Sequence, residues 1–173
     1  MEYFIIKQDK DMRRCAHLES WVNTLKHTNP FRYLRLATTE TRIMFVADDV
    51  YNEYPDFIQR PFPLIKKELK NMLSRYQPNI FFENMVLVEK ELGKQQVYCR
   101  MVVPEINCAS PKSERQYGKL KKIVLDRKKV GSQRIFQVEG DNRVIMRLDV
   151  VESILRRNPY GIEFERIEVD ERE

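Results

Sequence analysis

The side chains able to do chemistry in this chain are few, and their spacing argues against most of it. Only two histidines occur: His17 follows Cys15 as Cys-Ala-His, and His27 lies ten residues further on. A zinc site wants four ligands, or three and a water, at recognisable intervals. Cys15 and His17 would share a face only on a strand, and no CxxC or HxxxH accompanies them, so ordinary structural roles and no metal are expected. The carboxylate pairs have equally plain readings. Asp48-Asp49 sits in turn-like sequence, and Glu163 with Glu165 forms the outward side of an alternating strand. Acid–base work would need a cleft holding two such groups at a set distance. No nucleophile elbow, phosphate loop, dinucleotide glycine pattern or HExxH motif is present. The expectation is a protein that is not an enzyme, with no catalytic residues, metal or cofactor.

The strongest compositional feature is the stretch from Lys112 to Lys129. It carries Lys112, Arg115, Lys119, Lys121, Lys122, Arg127, Lys128 and Lys129 against Glu114 and Asp126, with Tyr117 among them. Positive charge that displaces counterions from phosphates, beside a ring that can stack on a base, is one way to hold nucleic acid. Ile123, Val124 and Leu125 interrupt the charge, however, and read as a buried strand flanked by solvated lysines. No RRM, KH or helix-turn-helix signature accompanies the run. A solvated edge or a surface for an acidic protein partner is therefore preferred, with nucleic acid as the alternative. These eight cations are the candidate interaction residues.

The elements that must position them follow from pattern. At 173 residues, with 42% hydrophobic and 33% charged side chains, the chain suits one domain, 1–173, with a solvated surface. Its net charge of +5 is modest. Cys15, Cys99 and Cys108 are an odd set without disulfide-framework spacing, which predicts reduced thiols in a cytoplasmic protein. No apolar run approaches the roughly 18 residues a bilayer span needs, and the early charges of Met1–Lys7 do not suit a signal peptide.

Tyr3 to Ile6 predicts an opening strand. Leu18, Trp21, Val22 and Leu25 follow helical spacing up to Asn29-Pro30. Phe31–Ala37 and Arg42–Ala47 read as strands, and Asp48–Pro63 as an irregular loop. A second helix is expected from Pro63 to Tyr76, with proline in the first turn. Strands at Ile80–Glu89 and Val97–Val103 flank the turn Gly93-Lys94. Asn107–Tyr117 reads as a surface loop, Ile123–Asp126 as a strand, and Arg134–Val138 with Arg143–Arg147 as a hairpin. A third helix is expected from Asp149, as its N-cap, to Asn158, and a last strand at Ile162–Val169. The fold class is α+β, with a mainly antiparallel or mixed sheet and about three helices.

Two stretches match at an offset of 82 residues, within 63–103 and 145–169. The offset carries Leu69 to Val151, Met72 to Ile154, Leu73 to Leu155, Arg75 to Arg157, Ile80 to Ile162, Phe82 to Phe164 and Glu83 to Glu165. This predicts a duplicated helix–turn–strand unit. In each strand the apolar residues alternate, skip one and alternate again: Ile80, Phe82, Met85, Leu87, and Ile162, Phe164, Ile167, Val169. A β-bulge would keep such a set on one face, so bulges are expected near Glu83-Asn84 and Glu165-Arg166. Regular strands in both places, or units that fail to superpose, would be reason to drop the duplication.

Several short segments together resemble immunity protein family eleven of bacterial polymorphic toxin systems. They are Tyr3-Phe4-Ile5-Ile6, the helix from Leu64 to Tyr76 leading into Ile80-Phe81-Phe82, Val97-Tyr98-Cys99, Ile106-Asn107-Cys108, and the most distinctive, Leu155 to Glu165 with Asn158-Pro159-Tyr160-Gly161 at its centre. The resemblance implies a cytoplasmic, non-catalytic, cofactor-free protein that protects its producer by binding a toxin domain. It supplies no toxin-contacting residues to carry over.

Overall fold

The computed structural model describes residues 1–18 and 41–171. The strand expected at Phe31–Ala37, and the helix expected from Leu18 to Asn29 beyond its first residue, lie outside the described residues; Leu18 itself forms an antiparallel β-bridge with Val46. Within them, the interrupted alternation of the two matching strands accounts for the layering of the molecule. Strand β5 (Phe81–Val88) pairs with β6 (Gln95–Val102) in unbroken register from Phe81 opposite Val102 to Val88 opposite Gln95. Strand β13 (Ile162–Asp170) pairs with β1 (Tyr3–Gln8) just as regularly, from Ile162 opposite Gln8 to Ile167 opposite Tyr3. Neither expected bulge exists, and that argument for duplication falls.

The skip has another cause. With regular pleating, residues on either side of a skip point to opposite faces. Ile80 and Phe82, like Ile162 and Phe164, pack into one central apolar layer. Met85 and Leu87 point the other way, into a second core, whereas Ile167 and Val169 enter a third. Each strand is thus covered on one face along its first half and on the other along its second.

The sheets are mixed, and most of the ordered structure is strand. One sheet has the order β2-β5-β6-β4-β3, with β2 at Arg42–Phe45, β3 at Phe57–Ile58 and β4 at Leu64–Lys66. The other has the order β10-β13-β1-β12-β11-β7, with β7 at Glu105–Ile106, β10 at Val124–Asp126, β11 at Ile135–Val138 and β12 at Ile145–Arg147. The first five strands of each agree in every pairing sense. The outer pairs β2–β5 and β10–β13 are parallel, and the next three pairings in each sheet are antiparallel. The central strand differs in origin: β6 follows β5 through a turn, whereas β1 is the start of the chain.

Helices α1 (Lys67–Tyr76) and α3 (Leu148–Leu155) link β4 to β5 and β12 to β13, and their apolar faces fill the central layer. Leu69, Met72 and Leu73 from α1 meet Val150, Val151 and Ile154 from α3 there. Full burial of each such side chain stabilises by about 1.5–3 kcal/mol. Both helices start later than their sequences suggest or are capped differently. Leu64 and Ile65 are wholly buried on opposite faces of a strand, so Pro63 precedes β4 and not a helix. Asp149 is not an N-cap: Arg147 occupies that position, and its guanidinium takes the Asp149 carboxylate through bonds of 2.8 and 2.5 Å. Asp48–Pro63 is largely irregular as expected, yet it holds β3, whose two residues are buried.

The two sheets are joined where the Asn158–Gly161 turn meets Glu53–Asp56. Asp56 N–H donates to Tyr160 O at 2.8 Å, Tyr160 N–H donates to Asp56 Oδ2 at 2.8 Å, and Tyr160 Oη donates to Glu53 Oε1 at 2.9 Å. Gly161 is required here. Its φ is +70°, and a Cβ added to it would stand 2.4 Å from Pro55 Cβ. The most distinctive family-like segment therefore forms the seam of the molecule.

Candidate interaction surface on a basic hairpin

Glu114 to Lys122, expected as loop followed by charge, folds as a two-stranded hairpin of β8 (Glu114–Gln116) and β9 (Lys119–Lys122). Its turn is Tyr117-Gly118, with φ of 50° and 77°. Positive φ at both central residues matches the handedness of a twisted ribbon, and glycine at the second makes it accessible. A register shift between Glu114 and Arg115 leaves Lys121 as an extra residue. Sequence reading missed this hairpin because its residues do not alternate: of Glu114–Lys122, only Leu120 is buried.

Leu120 anchors the hairpin by entering the core that holds Tyr3, Ile5 and Phe136. Arg143 adds a second anchor. Its guanidinium is paired with Asp141 at 2.6 Å, and the same Nη2 donates to Leu120 O at 2.8 Å. The base is fixed by Ser113, whose Oγ donates to Val124 O at 2.9 Å and accepts from Val124 N–H at 3.0 Å. Arg143 was not among the sequence candidates; its spacing of two from Asp141 was the only available signal.

The eight candidate cations divide into two groups. Lys112 bonds to Asp170 at 2.9 Å, Lys122 to Glu168 at 2.9 Å, and Lys129 lies 3.8 Å from Asp126. The hydrogen bond and charge of Glu168 raise the Lys122 ammonium above its usual range. These three hold the hairpin and helix α2 (Arg127–Val130) against β13 and β10. The other five remain available. Among the described residues, Lys119, Lys121 and Lys128 are exposed without a carboxylate partner, and Arg115 and Arg127 reach only the carbonyls of Gly118 and Gly131. Asp126 caps α2 by accepting from the N–H groups of Lys128 and Lys129. Ile123, Val124 and Leu125 are buried, as expected of the segment dividing the charge.

At the tip, Tyr117 is 94% exposed. An anchored, two-stranded hairpin thus presents an aromatic ring among cations that have no carboxylate partner among the described residues. Such an arrangement can meet carboxylates or phosphates and stack on a planar group.

A different polar cluster lies at the end of β5. The Glu89 carboxylate is fully buried, accepting from Tyr54 Oη at 2.5 Å and Asp49 N–H at 3.2 Å. Burial pushes its pKa up, but the Tyr54 and Asp49 hydrogen bonds and the Lys94 charge outweigh that, and the carboxyl sits below its ordinary value. Burial and the Glu89 contact push the Tyr54 hydroxyl far up. This cluster ties the 48–54 segment to the β5–β6 turn. Burial also raises the Cys15 and Cys108 thiols, each to about 11. Among the described residues, no group of three or more His, Cys, Asp or Glu is placed to hold a metal ion, and no helix is long and apolar enough to cross a membrane. His27 lies outside the described residues. No family model matches the chain, and no curated protein matches it at a significant level.

Proposed function

We propose that this chain is a non-enzymatic immunity-type protein of the cytoplasm, which binds a cognate bacterial toxin domain and neutralises it. The observation that carries the reading is the anchored hairpin with Tyr117 at its tip and five cations, Arg115, Lys119, Lys121, Arg127 and Lys128, unmatched by carboxylates among the described residues. A surface of this kind suits an acidic protein, because complementary charge speeds encounter and fixes register. The resemblance of Leu155–Glu165 and the other short segments to immunity protein family eleven supports the same reading.

The test is co-expression with the product of the neighbouring gene. A one-to-one complex is expected by size exclusion with light scattering, with protection of cells from that product. The Lys119→Glu/Lys121→Glu variant should bind about tenfold more weakly, mostly through slower association. A neighbouring product that binds nothing and is harmless to cells lacking this protein would refute the reading.

A second reading, a small nucleic-acid-binding domain, is favoured by one observation, the exposure of Tyr117 on a basic ribbon. It requires binding at low salt that weakens steeply as salt rises. Absence of binding to single-stranded oligonucleotides by fluorescence anisotropy at low salt would dispose of it.

A further inference from the structure

We propose that the cleft between the C-terminal turns of α1 and α3 binds a phosphate group carried by a small molecule. The cleft has a volume of about 280 Å3 and is lined by Met72, Arg75, Tyr76, Arg134, Ser153 and Arg157. Its walls are fixed to one another. Tyr76 Oη and Ser153 Oγ stand 2.5 Å apart across the two helices, Arg157 Nη1 donates to Ser153 O at 2.5 Å, and the Arg134 guanidinium lies 5.8 Å from the centre of the Tyr76 ring.

The charge there is out of balance. The carboxylate near Arg134 is Asp149 at 3.9 Å, and Asp149 is already held by two bonds from Arg147. Among the described residues, neither Arg75 nor Arg157 has a carboxylate within ion-pair distance. A cation in the last turn of a helix is favoured by the helix dipole. That explains Arg75 by itself, but not why it shares one concavity with Arg157 and Arg134. Three arginine side chains thus line one cleft, and planar guanidinium forks suit phosphate oxygens.

The hydroxyl pair adds a neutral donor. One hydrogen of the two is used between Tyr76 and Ser153, and the other has no acceptor among the described residues, so it can point at a ligand. The volume sits near the lower bound for small-molecule sites, about 300 Å3. That admits a phosphate with a short organic group and is small for a nucleotide. Arg75 and Arg157 are also the residues related by the 82-residue offset, so the two matching segments contribute one arginine each.

Isothermal titration of the full chain at low salt with inorganic phosphate and with glycerol 3-phosphate tests the site, with glycerol and chloride as controls. Saturable binding to both phosphates is expected, and Arg75→Gln and Arg157→Gln should each weaken it about tenfold or more. Arg75→Gln is the safer variant, since the Arg75 side chain makes no hydrogen bond or ion pair among the described residues. The Lys119→Glu/Lys121→Glu protein should bind phosphate as the unaltered chain does. Absence of saturable binding, undiminished binding in both arginine variants, or equal loss in the hairpin variant would overturn the assignment.

Discussion

Strands β5 and β13 are apolar toward one core along half their length and toward another along the rest, whereas the hairpin β8–β9 buries a single side chain. The first arrangement lets two sheets share a central layer, so a change at either strand is felt in more than one core. The second isolates the hairpin energetically, and its surface can vary with little effect on the fold. Where the packing demands least, the free charge collects. This is the division expected of a scaffold carrying an interaction surface.

Three variants probe that division, in falling order of effect. Gly161→Ala combines a positive φ with overlap on Pro55 at the seam between the sheets. It should cost about 2–4 kcal/mol, read as a lowered urea midpoint. A midpoint unchanged within error would mean that the seam does not couple the layers.

Tyr54→Phe should cost about 1–3 kcal/mol by leaving the buried Glu89 carboxylate short of a donor. It also has a pH signature. Because the Glu89 pKa is depressed in the folded protein, its contribution is present above the usual glutamate range and is lost as pH falls through the depressed value. Removing the Tyr54 bond raises that folded value, so acid unfolding should begin at higher pH. An unshifted acid transition would show that the remaining contacts suffice.

The smallest effect belongs to the hairpin. Lys119→Glu/Lys121→Glu should change stability by no more than about 0.5 kcal/mol in either direction, since both side chains are exposed and have no ion-pair partner among the described residues. A loss well above about 1 kcal/mol would make the hairpin part of the core and erase the contrast.

Long alternating segments were legible. The opening strand, the β11–β12 hairpin, β6 and the last strand stand close to where periodicity puts them, because each pattern repeats often enough to define a period. Short elements were not. Leu64–Lys66 reads as a helix start because three residues carry no period, and only pairing with β6 and β3 makes them a strand. The basic surface was legible in composition, but the pairing that divides it was not. Lys122 and Lys112 meet Glu168 and Asp170, which lie 46 and 58 residues away.

The sequence by itself determined the α+β class, the buried segment Ile123–Leu125 and the match between the two helix–turn–strand segments. These follow from local period and composition. Only the tertiary structure decided what the skipped residue in each strand means. A change of face and a bulge produce the same string of apolar letters, and the choice depends on whether a second core waits on the far side. The packing supplies one for each strand, so the strands stay regular and the fold becomes layered.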